Sequence, residues 1–99
     1  MRLGPKDVKL AILITGDELH ELKRFTVDMA EAFGLDRRIE AHSGKRPLGL
    51  YRWDLDCLLA VTDLALKDSR AYPDKASSAY AALKRLRDRL QEEYRRIWE

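Results

Sequence analysis

The sequence predicts an all-α fold in which residues 1–99 form a single domain, a bundle of four to five helices. The first observation is an apolar segment at about 53–67, whose side chains point in every direction when wound at about 3.6 residues per turn. A helix without a polar face is typical of the middle of a bundle. The second observation is that the segments before and after it carry amphipathic stripes, which predicts that they surround it as further helices.

The first apolar segment, residues 8–14, is compatible with two structures. Pro5 at a first helical position and Asp7 in the first turn favour a helix. Five consecutive apolar residues from Leu10 to Ile14 also suit a buried strand, because such a run does not reveal its period. We favour the helix, since a lone strand would need a partner that the rest of the chain does not supply.

The second helix has the clearest start in the sequence. Thr15 and Glu18 match a capping box, in which each side chain accepts a hydrogen bond from the backbone N–H of the other residue. An apolar stripe continues to about Phe33, and Gly34 follows where a left-handed residue would end the helix. A short helical turn is then predicted from a cap at Asp36.

The second half of the chain is predicted to hold a loop and two long helices. Residues 44–52 contain two glycines and a proline and are typical of a structured loop. The apolar central helix follows at about 53–67, and Tyr72 with Pro73 marks the break after it. The C-terminal helix is predicted at about 75–98, where apolar residues alternate four and three apart in a heptad-like seam.

The composition is that of an ordinary globular protein, with 45% hydrophobic and 36% charged residues. The apolar runs are too short to span a bilayer, and no signal sequence is visible, which predicts a cytoplasmic protein without membrane contact. A net charge of +2 is far below that of a dedicated nucleic-acid binder. The single Cys57 lies among apolar residues and is predicted to be a buried, inert thiol.

Our preferred functional hypothesis is a non-enzymatic interaction or regulatory protein that binds through its C-terminal helix, either to itself as a homo-oligomer or to a larger protein. The seam on that helix is longer than a small core needs, and a surplus apolar stripe makes an interface. No coherent catalytic set stands out, and we expect neither a cofactor nor a bound metal. The predicted partner-binding residues are Leu83, Leu86, Leu90, Tyr94, Ile97 and Trp98.

The second hypothesis is a small protein that binds nucleic acid or phosphate through residues 37–53. Cations neutralise a phosphate backbone, and aromatic rings such as Tyr51 and Trp53 stack on exposed bases. The predicted anion-binding residues are Arg37, Arg38, His42, Lys45, Arg46 and Arg52.

An enzyme is the third hypothesis, in two versions. Arg37, followed by four residues and His42, resembles the active-site motif of HEPN-fold ribonucleases, which are all-α proteins. The resemblance implies that the two side chains form a catalytic pair across a dimer, where they contact the scissile phosphate and shuttle a proton. Arg38 stands where the family usually has a small or polar residue. Alternatively, Glu18 and Glu21 lie three apart, similar to the glutamate pair that holds metal in all-α nucleotide pyrophosphatases.

Overall fold

The computed structural model describes residues 9–29 and 34–98, and these are mostly helical. The elements are β1 (Leu10–Ile12), α1 (Gly16–Lys23), a 3₁₀ helix (Thr26–Met29), α2 (Leu35–Ala41), β2 (Leu48–Leu50), α3 (Arg52–Lys67) and α4 (Ser78–Trp98). The four α-helices within these two ranges agree with the predicted helical bundle. β2 was not expected, and β1 lies where a strand was the less favoured of two structures. The helix start predicted at Pro5 and Asp7 lies outside the described residues.

A short strand occupies part of the segment 8–14, for which we favoured a helix. β1 pairs antiparallel with β2, so that Leu10 lies opposite Leu50 and Ile12 lies opposite Leu48. All four of these side chains are buried, as expected of residues that alternate on one face of a strand. The helix prediction was wrong because the loop before the central helix supplies the partner strand that we expected to be missing.

The second helix is shorter than predicted, since α1 ends at Lys23 rather than near Phe33. The N–H of the residue after α1, Arg24, donates to carbonyls in the last turn of the helix, and the chain continues into the 3₁₀ helix. A 3₁₀ segment can follow an α-helix without a change in apolar pattern, so the sequence stripe did not show the break. Gly34 has a φ of +82°, the left-handed conformation predicted there, but it is the N-cap of α2 rather than the end of the preceding helix. The cap predicted at Asp36 was therefore wrong, since Asp36 lies inside α2.

α3 and α4 form the antiparallel helical hairpin on which the core is built. Arg87 Nε lies 2.8 Å from Asp63 Oδ1, and Arg52 Nε lies 3.0 Å from the Tyr94 hydroxyl, so the two helices run in opposite directions. α1 packs against α4, while β2 and the 3₁₀ helix pack against α3. Within residues 9–29 and 34–98, the largest fully buried side chains are Ile14, Leu22, Met29, Leu35, Ile39, Leu50, Leu55, Leu58, Thr62, Leu83, Leu86 and Leu90.

The central helix has the predicted bounds but leaves one face uncovered. α4, the 3₁₀ helix and β2 pack against it and cover only part of its circumference. The expectation that this helix is enclosed on all sides was therefore wrong. Its exposed residues, hereafter the α3 outer stripe, are Trp53, Asp56, Ala60, Leu64 and Lys67.

Candidate interaction surfaces

Most of the predicted seam on the last helix belongs to the core of this chain. Leu83, Leu86 and Leu90 are fully buried, and they belong to the same apolar cluster as the core leucines of α3. Toward the C-terminus, the seam residues Ile97 and Trp98 are only half-buried. The fully buried side chains have no surface that a partner could contact. Partner binding through this helix stays a prediction, and of these seam residues only the half-buried pair in the last turn could contribute to it.

The first carboxylate of the predicted metal pair, Glu18, is buried between two arginines. Arg85 Nε donates to Glu18 Oε2 over 2.7 Å, and Arg89 Nη1 donates to Glu18 Oε1. Arg89 also donates to the carbonyl oxygen of Leu13. Thr15 is the N-cap residue of α1 but forms no side-chain capping bond. Glu18 therefore joins α1 to α4 instead of completing the capping box that the sequence predicted.

The second carboxylate, Glu21, accepts hydrogen bonds from Arg24 Nη1 at 2.6 Å and from the Tyr72 hydroxyl at 2.8 Å. Burial raises the pKa of Glu21, but the hydrogen bonds from Tyr72 and Arg24 outweigh it and leave this pKa below its ordinary value. Burial, together with the hydrogen bond to Glu21, raises the pKa of Tyr72. Each glutamate is thus matched to arginine, and the described residues contain no group of three His, Cys, Asp or Glu side chains that could hold a metal ion.

The Tyr72–Glu21 hydrogen bond predicts a pH-dependent loss of stability in Tyr72→Phe. This change keeps the ring beside Phe25 and Tyr80 but removes the donor. We expect the free energy of unfolding to fall by about 1–3 kcal/mol at neutral pH. Because the pKa of Tyr72 is raised on folding, its contribution is complete below the unfolded pKa of about 10 and is lost as the pH rises above it.

Urea unfolding at neutral pH and at about pH 11 checks this expectation, since the difference between wild type and Tyr72→Phe should shrink at the higher pH. The contribution of Glu21, whose pKa is lowered, is present above its ordinary value of 4.5 and is lost as the pH falls below it. Tyr80→Phe is the matched control, because Tyr80 is only half-buried. A difference that is equal at both pH values would contradict the proposed role of the hydroxyl.

A third buried carboxylate, Asp54, was not among the predicted site residues. It is fully buried, and its Oδ1 lies 2.7 Å from Arg38 Nη2, while its Oδ2 accepts the backbone N–H of Tyr51 at 2.9 Å. Arg38 Nη1 also donates to the carbonyl oxygen of Gly49 at 3.0 Å. Arg38, predicted to bind an anion, therefore joins α2, β2 and the first turn of α3.

The other basic residues of the 37–53 stretch differ in their surroundings. Arg52 donates to the Tyr94 hydroxyl, and its guanidinium lies 5.6 Å from the centre of that ring. His42 is half-buried, and its Nε2 has no hydrogen-bond partner among the described residues. Three more cations, Arg37, Lys45 and Arg46, are exposed.

Arg37 and His42, the pair that resembles the ribonuclease motif, have different surroundings within one chain. Arg37 is exposed on α2, whereas His42 follows that helix in extended backbone and is half-buried. No described contact joins the two side chains. Their pairing across a dimer, which the resemblance to HEPN-fold ribonucleases implies, stays a prediction.

Among the described residues, the α3 outer stripe carries two of the four large hydrophobic side chains that stay exposed. Leu64 is 71% exposed and Trp53 is 42% exposed, with Ala60 between them on the same helical face. The ring of Trp53 stacks on Tyr51, with ring centroids 4.8 Å apart and planes 12° apart. Cys57, predicted to be buried, is half-buried beside the stripe. Hydropathy alone did not identify this surface, because it could not show which side of an apolar helix stays uncovered.

No protein-family model, curated protein or solved structure matches the chain. None of the helices formed by the described residues is long and apolar enough to cross a membrane. Function is therefore inferred from the surfaces described above.

Proposed function

We propose that the protein is a non-enzymatic interaction domain that binds a protein partner through the α3 outer stripe. The observation that carries this proposal is the exposure of Leu64, at 71%, on the helix whose other face supplies the core. Single exposed leucines are common, but here Leu64 shares a helical face with Ala60 and an exposed tryptophan. Transfer of one leucine side chain from water into an interface contributes about 1.5–3 kcal/mol, which is enough to make it an anchor.

The proposed surface lies on α3 rather than on α4, where the sequence seam first suggested it. Leu83, Leu86 and Leu90 already contribute their apolar area to the core, so a partner would have to unfold the domain to reach them. The α3 outer stripe requires no such rearrangement. Aromatic anchors are enriched in protein interfaces, and Trp53, which is held by its stack on Tyr51, is preorganised for this role.

Leu64→Glu is expected to abolish association without unfolding the domain, because the side chain makes few contacts within its own chain. The measurement is fluorescence-detected sedimentation velocity of labelled protein, first with excess unlabelled protein and then in an extract of cells that express it. Wild type should sediment faster than its 11.5 kDa monomer in at least one of these conditions, and Leu64→Glu should sediment as a monomer in both.

Val27→Glu is the matched control, because Val27 is 80% exposed but lies on the 3₁₀ helix rather than on α3. This variant should sediment as wild type does. Circular dichroism should give the same helical spectrum for all three proteins. Wild-type protein that remains a monomer in both conditions would refute the interaction-domain proposal.

Binding of nucleic acid or another phosphate-bearing ligand is a second candidate function, supported by the exposed cations Arg37, Lys45 and Arg46. Within the described ranges, no carboxylate forms an ion pair with any of the three. Trp53 adds a partly exposed ring that suits stacking on a base. This function would use a flexible single strand, because stacking needs bases that are not already paired.

Titration with mixed-sequence single-stranded RNA at low and high salt, followed by tryptophan fluorescence, tests the second candidate. Replacing Arg37, Lys45 and Arg46 together by alanine should weaken binding and reduce the salt slope by about 2, since each phosphate contact contributes about 0.7. Lys75→Ala, at an exposed lysine outside the 37–53 stretch, should bind as wild type does. Absence of binding by wild type at low salt would remove this candidate.

A further inference from the structure

We infer that the partner of the α3 outer stripe is a second copy of this chain, packed antiparallel across a two-fold axis at Ala60. This inference rests on the proposed function, because it names the occupant of the same surface. Two independent properties of the stripe support it, namely the spacing of its residues and the order of its charges. Both are properties that a self-complementary surface needs, since in a two-fold interface each residue must find its own counterpart.

The spacing of the stripe is symmetric about Ala60. Asp56 and Leu64 lie four positions before and after it, and Trp53 and Lys67 lie seven positions before and after it. These are the offsets at which residues return to the same face of an α-helix. A two-fold axis through Ala60 therefore places every exposed residue of one helix opposite an exposed residue of the other. The small side chain at the crossing point permits close approach of the two helices.

The charges favour the antiparallel arrangement over the parallel one. With a rise of about 1.5 Å per residue, Asp56 lies about 4.5 Å along the axis from Lys67 of the second copy. The two copies of Asp56 are about 12 Å apart along the axis, and the two copies of Lys67 are about 21 Å apart. In a parallel pair, by contrast, each charge would face its own copy. Opposite charges thus approach and like charges separate only when the helices run in opposite directions.

The same arrangement gives the exposed apolar side chains a place to pack. Leu64 of the second copy enters the space between Trp53, Asp56, Cys57 and Ala60, which are the four residues that form a hole for a knob on a facing helix. Lys67 of the second copy lies level with the ring of Trp53, where an ammonium group is attracted to an aromatic face. Leu64, the most exposed leucine on α3, is then buried in both copies of the dimer.

Single cysteines in a Cys57→Ser background test the register. Facing Cα atoms at a crossing point are about 3–5 Å apart for helix axes 8–10 Å apart, which reaches the range that a disulfide spans. Ala60→Cys should therefore form a disulfide-linked dimer under mild oxidation. Asp56→Cys and Lys67→Cys should not exceed the control Lys84→Cys, an exposed position on α4.

Dominant cross-linking of Ala60→Cys supports the antiparallel pair. Equal cross-linking of Ala60→Cys, Asp56→Cys and Lys67→Cys overturns it in favour of a parallel pair. Cross-linking of Ala60→Cys no greater than that of Lys84→Cys also overturns it, because the axis would then lie elsewhere.

Sedimentation of the purified protein over a range of concentrations provides a second measurement. Wild type should pass from monomer to dimer, and Leu64→Glu should raise the dissociation constant at least about 30-fold, because each dimer buries two copies of the changed residue. A wild-type monomer up to about 1 mM overturns this inference. If the purified protein stays a monomer but Leu64-dependent complexes form in cell extract, the dimer inference fails and the interaction-domain proposal survives. If neither the dimer nor the complexes form, both proposals are refuted.

Discussion

Replacing Arg38 by alanine is expected to lower the free energy of unfolding by about 3 kcal/mol. The carboxylate of Asp54 is fully buried, and Arg38 supplies its only ion pair in the described part of the chain. Without the guanidinium, the N–H of Tyr51 is the one donor that the described residues still supply to this buried negative charge. The same variant also removes the hydrogen bond to the carbonyl of Gly49. The measurement is urea denaturation followed by circular dichroism.

The neighbouring arginine provides a matched control. Arg37 is exposed, so Arg37→Ala should change the free energy of unfolding by no more than about 0.5 kcal/mol. In an Asp54→Asn background, which keeps an acceptor for the N–H of Tyr51 but removes the charge, Arg38→Ala should cost much less. Equal losses in the two backgrounds would show that the ion pair is not the source of the effect.

Replacing Leu86 by alanine is expected to cost about 3–5 kcal/mol, the largest effect among our predictions. Leu86 is fully buried between α4 and its neighbours, and the shorter side chain leaves a cavity that packed helices close only in part. Leu64→Ala should cost no more than about 0.5 kcal/mol in the monomer, because Leu64 is mostly in water. Urea denaturation at low protein concentration measures both changes.

This pair of leucines separates the core of the hairpin from its surface. Both residues lie on long helices, and both belong to the apolar patterns that the sequence displays. Similar losses of unfolding free energy in the two variants would contradict the arrangement in which the seam of α4 faces the core and the α3 outer stripe faces water. A small loss of unfolding free energy in Leu86→Ala would indicate that the seam on α4 is a free surface.

Local sequence signals predicted the parts of the fold that depend on local structure. The apolar run at 53–67 and the heptad-like spacing at 75–98 placed α3 and α4 within a few residues, and the left-handed conformation of Gly34 was predicted, although as the end of a helix rather than the N-cap of α2. β1 was missed because its partner lies forty residues further along the chain, Leu50 opposite Leu10. A stretch of sequence that covers a single element does not show which distant strand that element pairs with.

The ion pairs were missed for the same reason. Glu18 has the right spacing from Thr15 for a capping box, but its partners Arg85 and Arg89 are 67 and 71 residues away. Two cationic guanidinium groups give Glu18 an ion pair in addition to hydrogen bonds, which the neutral N–H of a cap does not provide, so the distant contact prevails. The α3 outer stripe depends on which elements pack around a helix, and amphipathic patterns show only that a helix has a face to bury.

The pairing of β1 with β2 bears on the order in which the chain folds. The sheet closes a loop of about forty residues, which costs about 3 kcal/mol of chain entropy, and its two three-residue strands alone are too short to offset that cost. The α3–α4 hairpin joins segments that are close in sequence, so it can form first at a lower entropic cost. We therefore expect the sheet to become stable only after the hairpin has formed, because Leu10 and Ile12 then join an apolar cluster that already exists.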